Sequence, residues 1–141
     1  MKLNNRSIEM QNRLNLINVA FEDGYVAYLP VVDEGIDLIL YRKKDQDIIK
    51  VQLKSRWTIN KKYVGHDICI AFPEGKKWYL APHDAMVKIA EDLKFAVGTQ
   101  SWNRDDGEYH IKSMGKKLGK AMQNYLFPSP PKTPSGTARS N

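Results

Sequence analysis

The chain has a single cysteine, Cys69, among its 141 residues. One thiol excludes an intrachain disulfide and any zinc centre built on cysteine pairs, in keeping with a reducing compartment. Long apolar runs are missing too: no stretch approaches the roughly 18 to 20 residues that span a bilayer, so no membrane partner is expected. The opening residues MKLNNRSIEMQNR carry no apolar segment of the secretory type, and the expected location is the cytoplasm. No Gly-rich phosphate loop precedes a helix, which removes the case for an NTPase or a dinucleotide enzyme. His66, His83 and His110 are too widely spaced for a zinc motif and read as isolated polar or structural side chains.

Acidic residues stop early. The last is Glu108, while residues 109–141 hold six cations, Lys112, Lys116, Lys117, Lys120, Lys132 and Arg139. With 22 Lys and Arg against 16 acids in all, residues 1–108 are neutral, 16 against 16. A neutral body with a basic C-terminal segment suits a polyanion partner, although a Lys-rich solvated surface has the same composition. Hydrophobic residues at 42% and charged residues at 27% are those of a globular protein, and the length fits one domain. That domain is expected over residues 1–126, with a Pro/Ser-rich flexible tail from 127 to 141, where four of the seven prolines fall.

Met10, Leu14, Ile17 and Phe21 recur at helical spacing and predict a helix from Ser7 to Asp23, ended by Gly24, with that stripe buried. Strands are expected at Tyr25 to Leu29, Ile36 to Tyr41 and Ile48 to Ser55, forming an antiparallel meander. After a polar connection, two more are expected at Ile68 to Phe72 and Trp78 to Ala81 around a Pro73-Glu74-Gly75 turn. Cys69 in the first of these reads as an inert core thiol. Asp84 is placed to cap a helix with the stripe Val87, Ile89, Ala90 and Leu93. A loop from Ser101 to Glu108 leads to a last helix with Met114, Leu118, Ala121 and Tyr125 on one side. Lys116, Lys117 and Lys120 lie mostly on the other, as a solvated face or a phosphate-contacting one.

The chemistry concentrates in residues 35 to 56, GIDLILYRKKDQDIIKVQLKSR. Alternation on a strand puts Lys50, Gln52 and Lys54 on one face and Val51 and Leu53 on the other. Polar groups on an inward face need partners or a site to line. Asp37, interrupting the apolar run of Ile36, Leu38, Ile39 and Leu40 on the neighbouring strand, is the expected partner. An acid, an amide oxygen and a lysine on adjacent strands make a hard-ion site beside a cation, suited to magnesium and to phosphodiester hydrolysis. In it Asp37, Gln52 and the Leu53 carbonyl hold the metal and Lys54 meets the developing charge on phosphorus.

At these residues the chain resembles the PD-(D/E)xK nuclease superfamily, the fold of many restriction enzymes and Holliday-junction resolvases. The match is Gly35, Ile36, Asp37 and Leu38, a hairpin, then Gln52, Leu53, Lys54 and Ser55, with the preceding helix included, over about residues 7 to 82. Ile36 stands where the family name has proline, Gln52 where most members have an acid, and Arg56 to His66 leaves little room for the usual second core helix. Small intron-encoded homing endonucleases built on this fold are similar in size and in this glutamine.

The resemblance implies an α/β, restriction-endonuclease-like fold, with a central mixed sheet and an antiparallel meander flanked by helices. It implies a magnesium-dependent endonuclease, with manganese as a substitute, acting on double-stranded DNA through Glu9, Asp37, Gln52 and Lys54. Glu9 enters because the superfamily often places an acid on the first helix; the alternative is a solvated pair with Arg13 one turn on. Arg56, Trp57, Lys61 and Lys62 follow the motif as DNA contacts, with edge packing the alternative for Trp57. Cutting both strands of a duplex calls for two sites, so a homodimer or larger assembly is expected. The rival from another class is a catalytically silent nucleic-acid-binding or structural subunit that keeps the fold, and RNA remains an open substrate.

Overall fold

The computed structural model describes residues 4–104 and 106–129. Asn4 opens the first helix by accepting the Ser7 N–H on its side chain at 2.8 Å, which satisfies one of the free donors of a helix start. This helix, α1, spans Asn5–Glu22. Gly24, at φ +85°, then turns the chain into β1, Tyr25–Tyr28. β2 (Leu38–Arg42) and β3 (Asp47–Leu53) complete an antiparallel meander with β1.

The side of α1 that meets the sheet is not the expected one. Met10, Leu14 and Phe21 are 51%, 54% and 67% exposed, whereas Leu16 and Ala20 are fully buried against Leu38, Leu40 and Val51. The helix carries apolar residues on two sides, and the sheet takes the one where the small Ala20 permits close approach.

After β3 the chain leaves the sheet as β4 (Trp57–Asn60) and a single 3-10 turn, Lys61–Tyr63. It returns as β5 (Cys69–Glu74), parallel to β3 with Leu53 opposite Ala71. β6 (Lys77–Pro82) runs back antiparallel to β5. Pro73 and Glu74 therefore belong to a strand, and the turn is confined to Gly75 and Lys76. Helix α2 (His83–Asp92), short helix α3 (Gln100–Asn103) and β7 (Glu108–Ile111) follow. Helix α4 (Gly115–Ala121) and β8 (Leu126–Phe127) complete the described chain.

The result is an α/β fold whose six-stranded mixed sheet has the order β1-β2-β3-β5-β6-β8, while β4 and β7 pair antiparallel as a separate ribbon. Neither ribbon strand was expected from the sequence. All four residues of β4 are buried, so it lacks the alternation that marks a half-exposed strand. The second core lies between the sheet and this ribbon with α2 and α4, built on Trp57, Ile59, Ile70, Phe72, Met86, Trp102, Met114, Leu118 and Met122. Asp84 is not the cap of α2: the N-cap is Pro82 without a side-chain bond, and Asp84 instead accepts the Gly65 N–H at 2.9 Å.

Phe127, expected to begin an extended tail, pairs with Trp78 in the sheet; residues 130–141 of that tail lie outside the described residues. The Phe127 and Tyr25 rings sit 5.9 Å apart although β8 and β1 stand at opposite ends of the strand order. The twisted sheet therefore curls around the α1 core until side chains of its two end strands touch. On the outer face of the meander, Val26, Tyr28 and Ile48 are exposed, Ile48 by 62%, and the register places them beside Ile39 and Tyr41.

Candidate active site

Asp37 stands just before β2, tied to β3 twice. Its N–H donates to the Val51 carbonyl at 2.9 Å, and its Oδ2 accepts the Leu53 N–H at 2.7 Å. Burial pushes its carboxyl above the ordinary aspartate range; the Leu53 N–H and the charges of Arg13 and Lys54 pull the other way, while Asp33 adds to the rise. On β3, Val51 is buried in the α1 core, and Gln52 and Lys54 belong to the opposite face by the period of two. Gln52 Oε1 is buried with no hydrogen-bond partner among the described residues. An orphaned acceptor there is costly unless a ligand meets it.

Lys54 lies where the chain parts from the sheet, anchored by its N–H to the Ala71 carbonyl at 2.8 Å. Its Nζ is 3.9 Å from Glu108 Oε2 and 6.0 Å from the Tyr63 ring centre. Glu108 arrives from β7, opposite Asn60 of β4, whose side-chain amide donates to the same carboxylate at 2.9 Å. Asn60 is held in turn by His83: its backbone N–H donates to His83 Nε2 at 3.0 Å, and His83 Nδ1 is 3.1 Å from Asp84 Oδ1. Since Nε2 accepts, the proton of this fully buried imidazole sits on Nδ1, and burial pushes its pKa below the ordinary range.

Asp37, Gln52 and Lys54 border a cleft of about 640 Å3 lined by Asn5, Ile8, Glu9, Arg13, Asp37, Gln52, Leu53, Lys54, Ser55 and Arg56. Glu9, Asp37, Gln52, Leu53, Lys54 and Arg56 of the sequence reading thus share one cleft. Glu9 and Arg13 both line it and form no ion pair, so the solvated pair read as an alternative for Glu9 is absent. Lys50, on the same strand face, turns instead to Asp67 at 3.3 Å. Trp57 is 1% exposed and packs on Phe95; its ring is core, and its expected DNA contact is corrected to packing. Lys61 is half-buried, and Lys62 is exposed with its Nζ 5.1 Å from the Tyr63 ring centre. Lys116, Lys117 and Lys120 are exposed on α4, and none lines the cleft. Cys69 is half-buried, and burial pushes its thiol up to about 11, as for an inert thiol.

Two residues of the neighbourhood escaped the sequence reading. Glu108 reaches Lys54 only through the β4 and β7 pairing, and nothing local announces that contact. Arg13 is one turn from Glu9, a spacing that suggested a surface pair rather than a cleft wall. No group of three or more His, Cys, Asp or Glu is close enough to hold a metal ion among the described residues. The donors available are the Asp37 carboxylate, the Gln52 amide oxygen and the Leu53 carbonyl, hard oxygens that suit magnesium or manganese.

No protein-family model matches the chain, and no curated protein does. Among solved structures, it is similar to the bacterial homing endonuclease I-Ssp6803I, at 19% identity over 74% of this chain and 72% of that one, with a TM-score of 0.45. No helix among the described residues is long and apolar enough to cross a membrane.

Proposed function

We propose that the chain is a metal-dependent endonuclease of PD-(D/E)xK type that hydrolyses phosphodiester bonds in double-stranded DNA. The observation that carries this reading is that Asp37, Lys54 and Gln52, whose Oε1 is unpartnered, line one cleft. Asp37, Gln52 and the Leu53 carbonyl would hold magnesium, or manganese in its place. Such an ion supplies Lewis-acid neutralisation of phosphate charge and a more acidic water. The Leu53 N–H keeps the Asp37 carboxylate aimed. Lys54 stabilises the negative charge that grows on the phosphorane oxygens, and Glu9 on the cleft wall is the acid from α1. Arg56 at the cleft, with Lys61 and Lys62 beyond it, contacts the DNA backbone; Lys116, Lys117 and Lys120 extend the basic surface away from the cleft.

A homodimer or larger assembly fits the apolar outer face of the meander, where Val26, Tyr28 and Ile48 meet water. A catalytically silent nucleic-acid-binding subunit is the second reading, favoured by the sparse donor set, in which Asp37 is the one carboxylate. Incubating plasmid with the protein and magnesium, then repeating with EDTA, separates the two. Nicking or linearisation that EDTA stops is expected; binding without cleavage at any divalent metal would leave the silent subunit.

A further inference from the structure

Arg13 is out of place for a surface arginine. It lies on α1 four residues after Glu9, the order in which an acid and a base pair best along a helix, yet the two do not pair. Arg13 is half-buried, and its Nε is buried with no acceptor among the described residues. A guanidinium cannot shed its proton to escape burial, so an unmet N–H there is a standing cost that a ligand would remove. Its neighbours narrow the choice of ligand. Arg13 shares the cleft wall with Asp37, Gln52 and Lys54; Asp37 is already taken by the Leu53 N–H, and Glu108 stands beside Lys54. What is missing is an anion with two coplanar oxygens to meet the planar fork.

We infer that Arg13 is a substrate-binding residue, its guanidinium gripping the non-bridging oxygens of a nucleic-acid phosphodiester in the cleft. The inference deepens the nuclease reading and rests on it for the identity of the substrate, but not for the binding itself. Roles then divide along the cleft. Arg13 holds the phosphate in the ground state, and Lys54 acts on the charge that appears later.

The test is DNA binding in EDTA, where no cleavage intervenes. Arg13→Met keeps the aliphatic stem packed and removes the fork. It should raise the Kd for a duplex about tenfold and reduce the slope of log affinity against log salt by about 0.9, the value for one lost phosphate contact. Arg13→Lys should keep the slope while still losing affinity, because an ammonium meets one oxygen at a time. A Met variant that melts like the parent and binds with unchanged Kd and slope overturns the inference. Should the Met variant fail to melt cooperatively, the Lys variant decides, and parent-like affinity in it overturns the fork. A parent that binds duplex and never cleaves with magnesium defeats the nuclease reading alone; a parent that binds no duplex defeats both.

Discussion

Leu53 donates its backbone N–H to Asp37 Oδ2 at 2.7 Å, so the strand that presents Gln52 and Lys54 also aims the carboxylate. One segment, β3 with the residue that follows it, therefore links the geometry of all three groups.

For Asp37 the expected outcome has two parts. Asp37→Ala should abolish magnesium-dependent cleavage with the fold intact, read by plasmid nicking and circular dichroism. Burial raises this carboxyl above its ordinary 3.8, so between the unfolded and folded pKa the native state holds more protons. Its contribution to stability is gained as pH falls through the folded value and absent at neutral pH. Asp37→Asn should thus stabilise the metal-free protein at pH 7 relative to the parent. Urea melts in EDTA check the sign.

Lys54→Ala should lower the single-turnover cleavage rate by orders of magnitude and change DNA affinity little. Equal losses in rate and affinity would make Lys54 an ordinary phosphate contact. Replacing Lys116, Lys117 and Lys120 together should do the reverse, weakening binding on many sequences and flattening its salt dependence. An unchanged salt slope would leave those lysines as solvated surface.

Gln52→Glu puts a carboxylate where an orphaned amide oxygen stands, on a residue that lines the same cleft as Asp37. Without metal the variant should melt below the parent, and magnesium or manganese should raise its melting temperature more than the parent's. Calorimetry with and without metal reads this directly. A destabilised variant that neither ion rescues counts against a metal site.

His83 is fully buried as a neutral imidazole and accepts the Asn60 N–H. Its folded pKa lies below the ordinary 6.5 because of burial, with Asp84 opposing. The unfolded chain therefore takes up a proton that the native state refuses, and stability falls as pH drops below 6.5 toward the folded value. His83→Leu should flatten that fall and cost about 1–3 kcal/mol, since the Asn60 N–H loses its acceptor. Urea midpoints at about pH 7.5 and about pH 5.5 compare the two proteins.

Ile48→Lys, on the open face of the meander, should move any homo-oligomer toward monomer in sedimentation without lowering the melting temperature of the monomer. Unchanged sedimentation would locate the contact elsewhere.

The meander, and the shared cleft of Asp37, Gln52 and Lys54, were legible because they obey short-range rules: a strand alternates, so Gln52 and Lys54 had to share a face, and an acid within an apolar run had to have a reason. The helix stripe was misread because α1 carries two apolar sides and periodicity does not say which one meets the sheet. β4 stayed hidden because burial of Trp57, Thr58, Ile59 and Asn60 leaves no alternation to see. Glu108 and Arg13 depend on pairings made by distant parts of the chain, and no local pattern encodes those.

The meeting of Tyr25 and Phe127 bears on how the protein is made. The ribosome delivers Tyr25 well before Phe127, with Asp37, Gln52 and Lys54 emerging between them. Until Phe127 clears the exit tunnel, β6 has an open edge at Trp78 and Tyr25 lacks its ring partner. The nascent chain thus holds the cleft's residues in an unfinished sheet, sticky at one edge and open to chaperones. That exposure ends when Phe127 pairs with Trp78 and meets the Tyr25 ring.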